Sequence, residues 1–318
     1  MDVAASRTLV GLIIAGAGAS TVASTARAEG DLRAPTPVTP IVGGEVTDSG
    51  DFDGVVALQA GNGLCSGTVV APRLILTAAH CLANLGDNEQ VIVHYGDEIN
   101  QGTVAATNWA AHPRFCPDCK EDLFDYGYVE LGTDFNVPGG YTLPIATQVE
   151  WDEAMAEGEA ITLVGFGEDP DAVGGSAGIG VKRQVDTTIR RLSDAGLEFY
   201  AGGDHRDSCN GDSGGPAFVR VASGAIRLAG ITSRGSNPCG DGGYYGAPYP
   251  ALCWVRDETG VDFVGGACAN CDCIDTSPPD EDSKCGVAPS GRGDDLRWLA
   301  ALVVIPLGRR ILRRRAGR

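Results

Sequence analysis

The sequence predicts an all-β protein. Three observations carry that prediction: glycine is abundant at 46 of 318 residues, helical periodicity is scarce, and short β-branched runs recur between turn residues. A chain of this length holds one large or two ordinary domains and can bury a sizeable core. Between Ile41 and Lys284 there are 13 Lys and Arg against 37 Asp and Glu, a net of −24 beside −18 for the whole chain. So acidic a surface repels phosphate backbones, and nucleic acid is not an expected partner. The 11 cysteines point to an oxidising compartment.

The N-terminus agrees with export. Arg7, the apolar run Leu9 to Ala19 and the small-x-small site Ala26-Arg27-Ala28 predict a secretory signal peptide over residues 1–28. Residues 29–40 carry Pro35, Pro37 and Pro40 and predict an extended leader. Ile41-Val42-Gly43-Gly44 then opens the folded part. If cleavage frees the amine of Ile41, that cation can pair with Asp212 and draw the backbone of residues 211–213 into shape; such a buried pair forms only when both partners are present.

The chemistry centres on Asp207-Ser-Cys-Asn-Gly-Asp-Ser-Gly-Gly-Pro216, which is built to expose Ser213. Small residues flank it, and the N–H groups of Gly211 and Ser213 can point at one spot as an oxyanion hole, worth roughly 3 to 4 kcal/mol per donor. A serine needs a base, and the base needs an orienting group. His80 is the candidate base, because Thr77-Ala78-Ala79 packs small residues before it and Cys81 follows, with Cys65 and Cys81 placed to close the hairpin between them. His94 falls in a strand, His112 in a turn before Pro113 and His205 in a glycine-rich loop. For the acid, Asp125 opens the strand Tyr126 to Leu131; Asp122 is the rival, and the strand that follows Asp125 directly favours Asp125.

Together, Ile41-Val-Gly-Gly44, Thr77-Ala-Ala-His-Cys81, Asp125 and Gly211-Asp-Ser-Gly-Gly-Pro216 resemble the trypsin-like (chymotrypsin-fold) serine peptidases over residues 41–263. The order His80, Asp125, Ser213 is that family's order. Gly165-Phe-Gly167 and Trp254, in a short C-terminal helix, are further matches. The resemblance implies two six-stranded antiparallel β-barrels with the active site in the cleft between them and no metal or organic cofactor. It places Asp207 at the floor of the pocket for the substrate side chain, Gly235 and Gly243 on its walls, Ser233 at its edge, and a Cys209–Cys239 disulfide beside it. The expected substrates are therefore proteins or peptides cut after Arg or Lys.

Two departures stand out. Pro40 precedes Ile41 where a trypsin-like activator needs Lys or Arg, so another activating peptidase is expected, and Arg234 occupies a position where the family usually has tryptophan. Cys116-Pro-Asp-Cys119 predicts a small loop disulfide. Residues 264–290 form a Cys-rich acidic stretch predicted as an exposed tether; residues 291–318 combine the apolar run Leu296 to Leu307 with an arginine cluster. Cys285-Gly286, the apolar run and the arginines resemble the sorting tails of myxobacterial-type surface proteins, which implies sorting machinery or a membrane as a further partner.

Overall fold

The computed structural model describes residues 41–86, 88–168, 178–266, 268 and 270–276. The predicted signal peptide, the leader, Cys285 and the apolar and arginine-rich tail lie outside the described residues. No helix among the described residues is long and apolar enough to cross a membrane.

Two closed antiparallel barrels make up the fold. The first contains β2 (Val55–Ala60), β3 (Gly63–Ala71), β4 (Leu74–Thr77), β5 (Val91–Tyr95), β6 (Gly102–Ala111) and β7 (Gly127–Leu131), in the order β2-β3-β4-β7-β6-β5. The second contains β8 (Ala160–Gly165), β9 (Arg183–Leu192), β10 (Glu198–Ala201), β11 (Pro216–Arg220), β12 (Ile226–Gly235) and β13 (Gly243–Gly246), and closes through β8 against β9. A two-residue strand, β1 (Glu45–Val46), adds to the edge of β9. Short runs such as Leu74-Ile-Leu-Thr77 are wholly buried because their two faces meet barrel interior and neighbouring barrel.

The chain carries one helix that its strand-rich pattern hides. Helix α1 (Gln148–Ala154) starts at Thr147, whose hydroxyl accepts the N–H of Glu150 at 3.3 Å. Thr147-x-x-Glu150 is a capping-box pattern, and that was the readable signal for it. Helix α2 (Leu252–Thr259) closes the fold and ends on Gly260 at φ 77°, a left-handed cap suited to glycine.

Cys268 and residues 270–276 are tied to the body of the fold. Disulfides join Cys253 of α2 to Cys271 and Cys268 to Cys273. The Tyr249 hydroxyl accepts the N–H groups of Cys273 and Ile274 at 2.8 and 3.0 Å, and Ile274 is buried. The Gln148 side-chain amide of α1 donates to the Asp275 carbonyl and accepts the Asp275 N–H, and the Thr276 hydroxyl donates to the carbonyl of Ala195 at 3.0 Å. The described part of the predicted tether carries a local disulfide, Cys268–Cys273, and the Cys253–Cys271 cross-link with buried Ile274 holds it on the body.

Candidate active site

The seam between the barrels gathers the predicted residues. Beyond β4 a 3-10 turn, Ala79–Cys81, carries His80, and burial of Thr77, Ala78 and Ala79 leaves that ring one direction to point. Asp125, just before β7, is buried and accepts three hydrogen bonds: the His80 N–H at 2.8 Å, His80 Nδ1 at 2.7 Å and the Ser233 hydroxyl at 2.6 Å. A carboxylate held so firmly fixes the ring with Nδ1 as donor and Nε2 free to accept. Asp122, the rival, faces away and accepts the Ser193 hydroxyl at 2.7 Å. The other histidines are engaged elsewhere. His112 is buried against Trp254, Phe124 and Tyr126, and burial, with Arg114 adding to it, pushes its pKa down to about 4. His94 bonds the carbonyl of Ile99.

Ser213 and His80 line one hollow of about 370 Å³, together with Cys65, Cys81 and Glu89. Ser213 also lines an adjoining hollow of about 240 Å³ with Ser208, Ser233, Arg234, Gly235 and Asn237. Cys65 is bonded to Cys81, Cys209 to Cys239 and Cys116 to Cys119. Cys65, His80 and Cys81, and separately Cys268, Asp272 and Cys273, bring metal-ligating atoms together, but the sulfurs of both groups are spent in disulfides and offer no thiolate.

The loop before Ser213 is set by its carbonyls. Asn210 O accepts the Glu168 N–H at 2.6 Å and Asp212 O accepts the Gly215 N–H at 2.8 Å. In a trans peptide the next N–H points the opposite way. The N–H groups of Gly211 and Ser213 are thus turned away from these partners, and neither donates to any of the described residues. Gly211 sits at φ 93° and Gly214 at φ 79°, and a Cβ on Gly214 would collide with the Thr77 hydroxyl, so both glycines are required.

Asp207 is completely buried beneath the smaller hollow and is not on its wall. Its carboxylate accepts N–H groups from Ser208, Gly240 and Gly242 at 2.8, 3.3 and 2.9 Å and the Tyr245 hydroxyl at 3.3 Å. Burial raises its pKa, and these N–H bonds oppose the rise. The path from the hollow to its charge runs through the Ser208 hydroxyl, 3.0 Å from that of Tyr245. A Cβ on Gly243 would sit 3.0 Å from the Arg234 carbonyl and 3.4 Å from Asp207 Oδ1, whereas one on Gly235 would make only ordinary contacts, the nearest at 3.7 Å with the Gly242 carbonyl. Ser233 lines the hollow, but its hydroxyl is committed to Asp125. The register shift of β12 between Thr232 and Arg234 aims it there, a role that motif spacing does not reveal.

Arg234 was flagged from sequence only as a departure. Its guanidinium makes two bonds to the buried carboxylate of Glu198, at 2.6 and 2.9 Å, donates to the Lys120 carbonyl at 2.9 Å and lies over the Tyr244 ring. Nothing in the local pattern around Glu198 marks it as this partner.

Ile41 is buried, and the Val42 carbonyl accepts the Asp207 N–H at 3.1 Å. Asp212 is also buried; Oδ1 accepts the Gly167 N–H at 2.8 Å and Oδ2 the Cys209 N–H at 2.9 Å. Any Cβ on Gly165 or Gly167 would strike this carboxylate, which accounts for Gly165-Phe-Gly167. Burial raises the Asp212 pKa from 3.8 to about 7. A raised carboxyl contributes stability that is complete below the unfolded pKa and lost as pH rises through the folded one, on the order of 4 kcal/mol here. Thermal melts of the uncleaved chain should therefore fall from pH 5 to pH 8 more steeply than those of Asp212→Asn; parallel slopes would refute the assignment.

A double β-barrel with a serine, a histidine and a buried aspartate gathered on its seam defines the chymotrypsin-like class. Residues 41–251 match the trypsin family, and the chain belongs to it. The chain is 29% identical over 248 residues to coagulation factor XII of Sus scrofa, covering 69% of this chain and 39% of that protein. It is 34% identical over 221 residues to serine protease 56 of Homo sapiens, covering 64% of this chain and 35% of that protein. Brachyurin of Leptuca pugilator is 28% identical over 214 residues, with 62% of this chain and 88% of that protein covered. The chain thus spans well under half the length of the first two relatives.

Proposed function

We propose that the chain is a serine endopeptidase cleaving after Arg or Lys. The observation that carries the proposal is the pairing of a buried, triply bonded Asp125 with His80 beside Ser213, in a loop whose Gly211 and Ser213 N–H groups have no partner among the described residues. Ser213 Oγ attacks the peptide carbonyl carbon while His80 Nε2 takes its proton. The oxyanion is received by the N–H groups of Gly211 and Ser213. The proton then passes from His80 to the leaving amine, and water, deprotonated by His80, hydrolyses the acyl-enzyme. Asp125 stays ionised and stabilises the imidazolium.

Preference for Arg or Lys rests on Asp207, whose charge lies behind Ser208 and Tyr245 and beside Gly243. Activation rests on Ile41: its freed amine would supply a cation to pair with buried Asp212. An activating peptidase able to cut after Pro40, export through residues 1–28, and surface attachment through the tail around Cys285 complete the proposal. N-terminal sequencing of the mature protein tests the first two, and mass analysis of its C-terminus the third.

The peptidase itself is tested by fluorophosphonate labelling of the chain cleaved before Ile41. Labelling at Ser213, absent in Ser213→Ala, is expected; an unlabelled chain overturns the proposal. One observation favours a second reading, a binding protein without turnover: Arg234 ties the Lys120 carbonyl to the wall of the substrate hollow. An unlabelled chain that still binds Arg peptides would establish that reading.

A further inference from the structure

Ser66 lies on β3 of the first barrel, completely buried, one residue after the Cys65–Cys81 disulfide. Its hydroxyl donates to the Gly211 carbonyl at 3.0 Å and accepts the Phe166 N–H at 3.1 Å. Its own N–H donates to the Ser213 carbonyl at 2.7 Å. One residue thus grips both ends of the tripeptide 211–213 from the opposite barrel. The hydroxyl is saturated within the protein, so it is not a substrate contact. A buried hydroxyl is retained at such a place only when its bonds are made, because an unmade one costs about 1 to 3 kcal/mol.

The gripped carbonyls matter because each peptide plane of the loop is fixed by them in turn. Holding Gly211 O fixes the plane whose N–H, on Asp212, donates to Cys209 O at 3.1 Å. Holding Ser213 O fixes the plane whose N–H, on Gly214, donates to Thr232 O at 2.8 Å. Between these two planes lies the one that presents the Ser213 N–H, and before them the one that presents the Gly211 N–H.

We propose that Ser66 is a positioning residue for the oxyanion site, its hydroxyl locking the Gly211 carbonyl so that the donor N–H groups stay aimed without any contribution from the Ile41 amine. The inference rests on the peptidase reading for its kinetic consequence but not for its structural one. Since an oxyanion donor acts on the transition state and not on bound substrate, loss of aim lowers kcat and leaves KM in place.

Two measurements on Ser66→Ala, in the full-length chain and in the chain beginning at Ile41, test the proposal. Hydrolysis of an Arg peptide amide should lose roughly tenfold in kcat, a fraction of the 10²- to 10³-fold loss that follows removal of a whole donor, with KM unchanged. Amide hydrogen exchange should accelerate at Asp212, while Gly214, whose plane is held by the backbone N–H that alanine retains, and the strands of both barrels keep their protection. Unchanged kcat with unchanged exchange overturns the proposal, as does a rise in KM accompanied by faster exchange throughout. If the alanine variant does not fold, Ser66→Gly gives the same readouts. Should the parent chain not react with fluorophosphonate, the peptidase reading fails, and the exchange measurement alone still decides whether Ser66 holds the loop.

Discussion

Asp125→Asn should lower kcat roughly 10⁴-fold while the chain stays folded. The carboxylate accepts from the His80 N–H, His80 Nδ1 and the Ser233 hydroxyl within 2.8 Å, so it is filled with donors and offers none. An asparagine must turn its NH₂ toward one of these. Where that one is His80 Nδ1, the ring becomes an acceptor there and carries its proton on Nε2, where it cannot take the Ser213 proton. The packing around residue 125 is nearly isosteric, so melting temperature should move little. Steady-state kinetics on an Arg peptide amide, with circular dichroism as control, check this; activity within tenfold of the parent would remove Asp125 from the mechanism.

The second large effect is expected at Asp207. Asp207→Ser should reduce kcat/KM for Arg and Lys peptides roughly 10³-fold, equivalent to about 4 kcal/mol, with no comparable loss for Phe peptides. The size follows from burial: a charge with no exposure is screened little by water, and an incoming guanidinium that loses it is left desolvated beside Ser208 and Tyr245. Because four donors converge on this carboxylate, the variant also leaves the N–H groups of Gly240 and Gly242 without an acceptor, so some loss of stability is expected too. Equal losses for Arg and Phe peptides would mean that Asp207 shapes the pocket without selecting charge.

The positions of Ser213, His80 and the glycines around them were legible because each answers to a local constraint. The left-handed backbone at Gly211 and Gly214 and the small residues before His80 act within a few residues of chain. The barrels were legible as a class from alternating strands and turns, and as a pair through family resemblance. What escaped had its cause far away in sequence. Ser233 reaches Asp125 across 108 residues, Arg234 finds Glu198 across 36, and Ser66 finds Gly211 across 145; no spacing rule connects them. The docking of Cys268 and residues 270–276 is hard to read from sequence because the acidic side chains are conspicuous and the buried contacts of Cys268 and Ile274 are few. Helix α1 was missed for the opposite reason: its capping signal at Thr147 and Glu150 is local and readable, but it is brief among strands.

The three residues that follow Cys119 each hold a different part of the second barrel: the Lys120 carbonyl accepts from Arg234, Glu121 pairs with Arg191, and Asp122 accepts from Ser193. They belong to the first-barrel chain that leads straight into Asp125, while Ser66 of the first barrel and Ser233 of the second make further bonds between the two. The working geometry is therefore owned by neither half of the molecule. Each barrel could keep every strand and every internal hydrogen bond, and a slide of about one ångström between them would still separate base from nucleophile by enough to cost about a hundredfold in rate. Turnover, in such a protein, is a gauge of how well its two halves are docked.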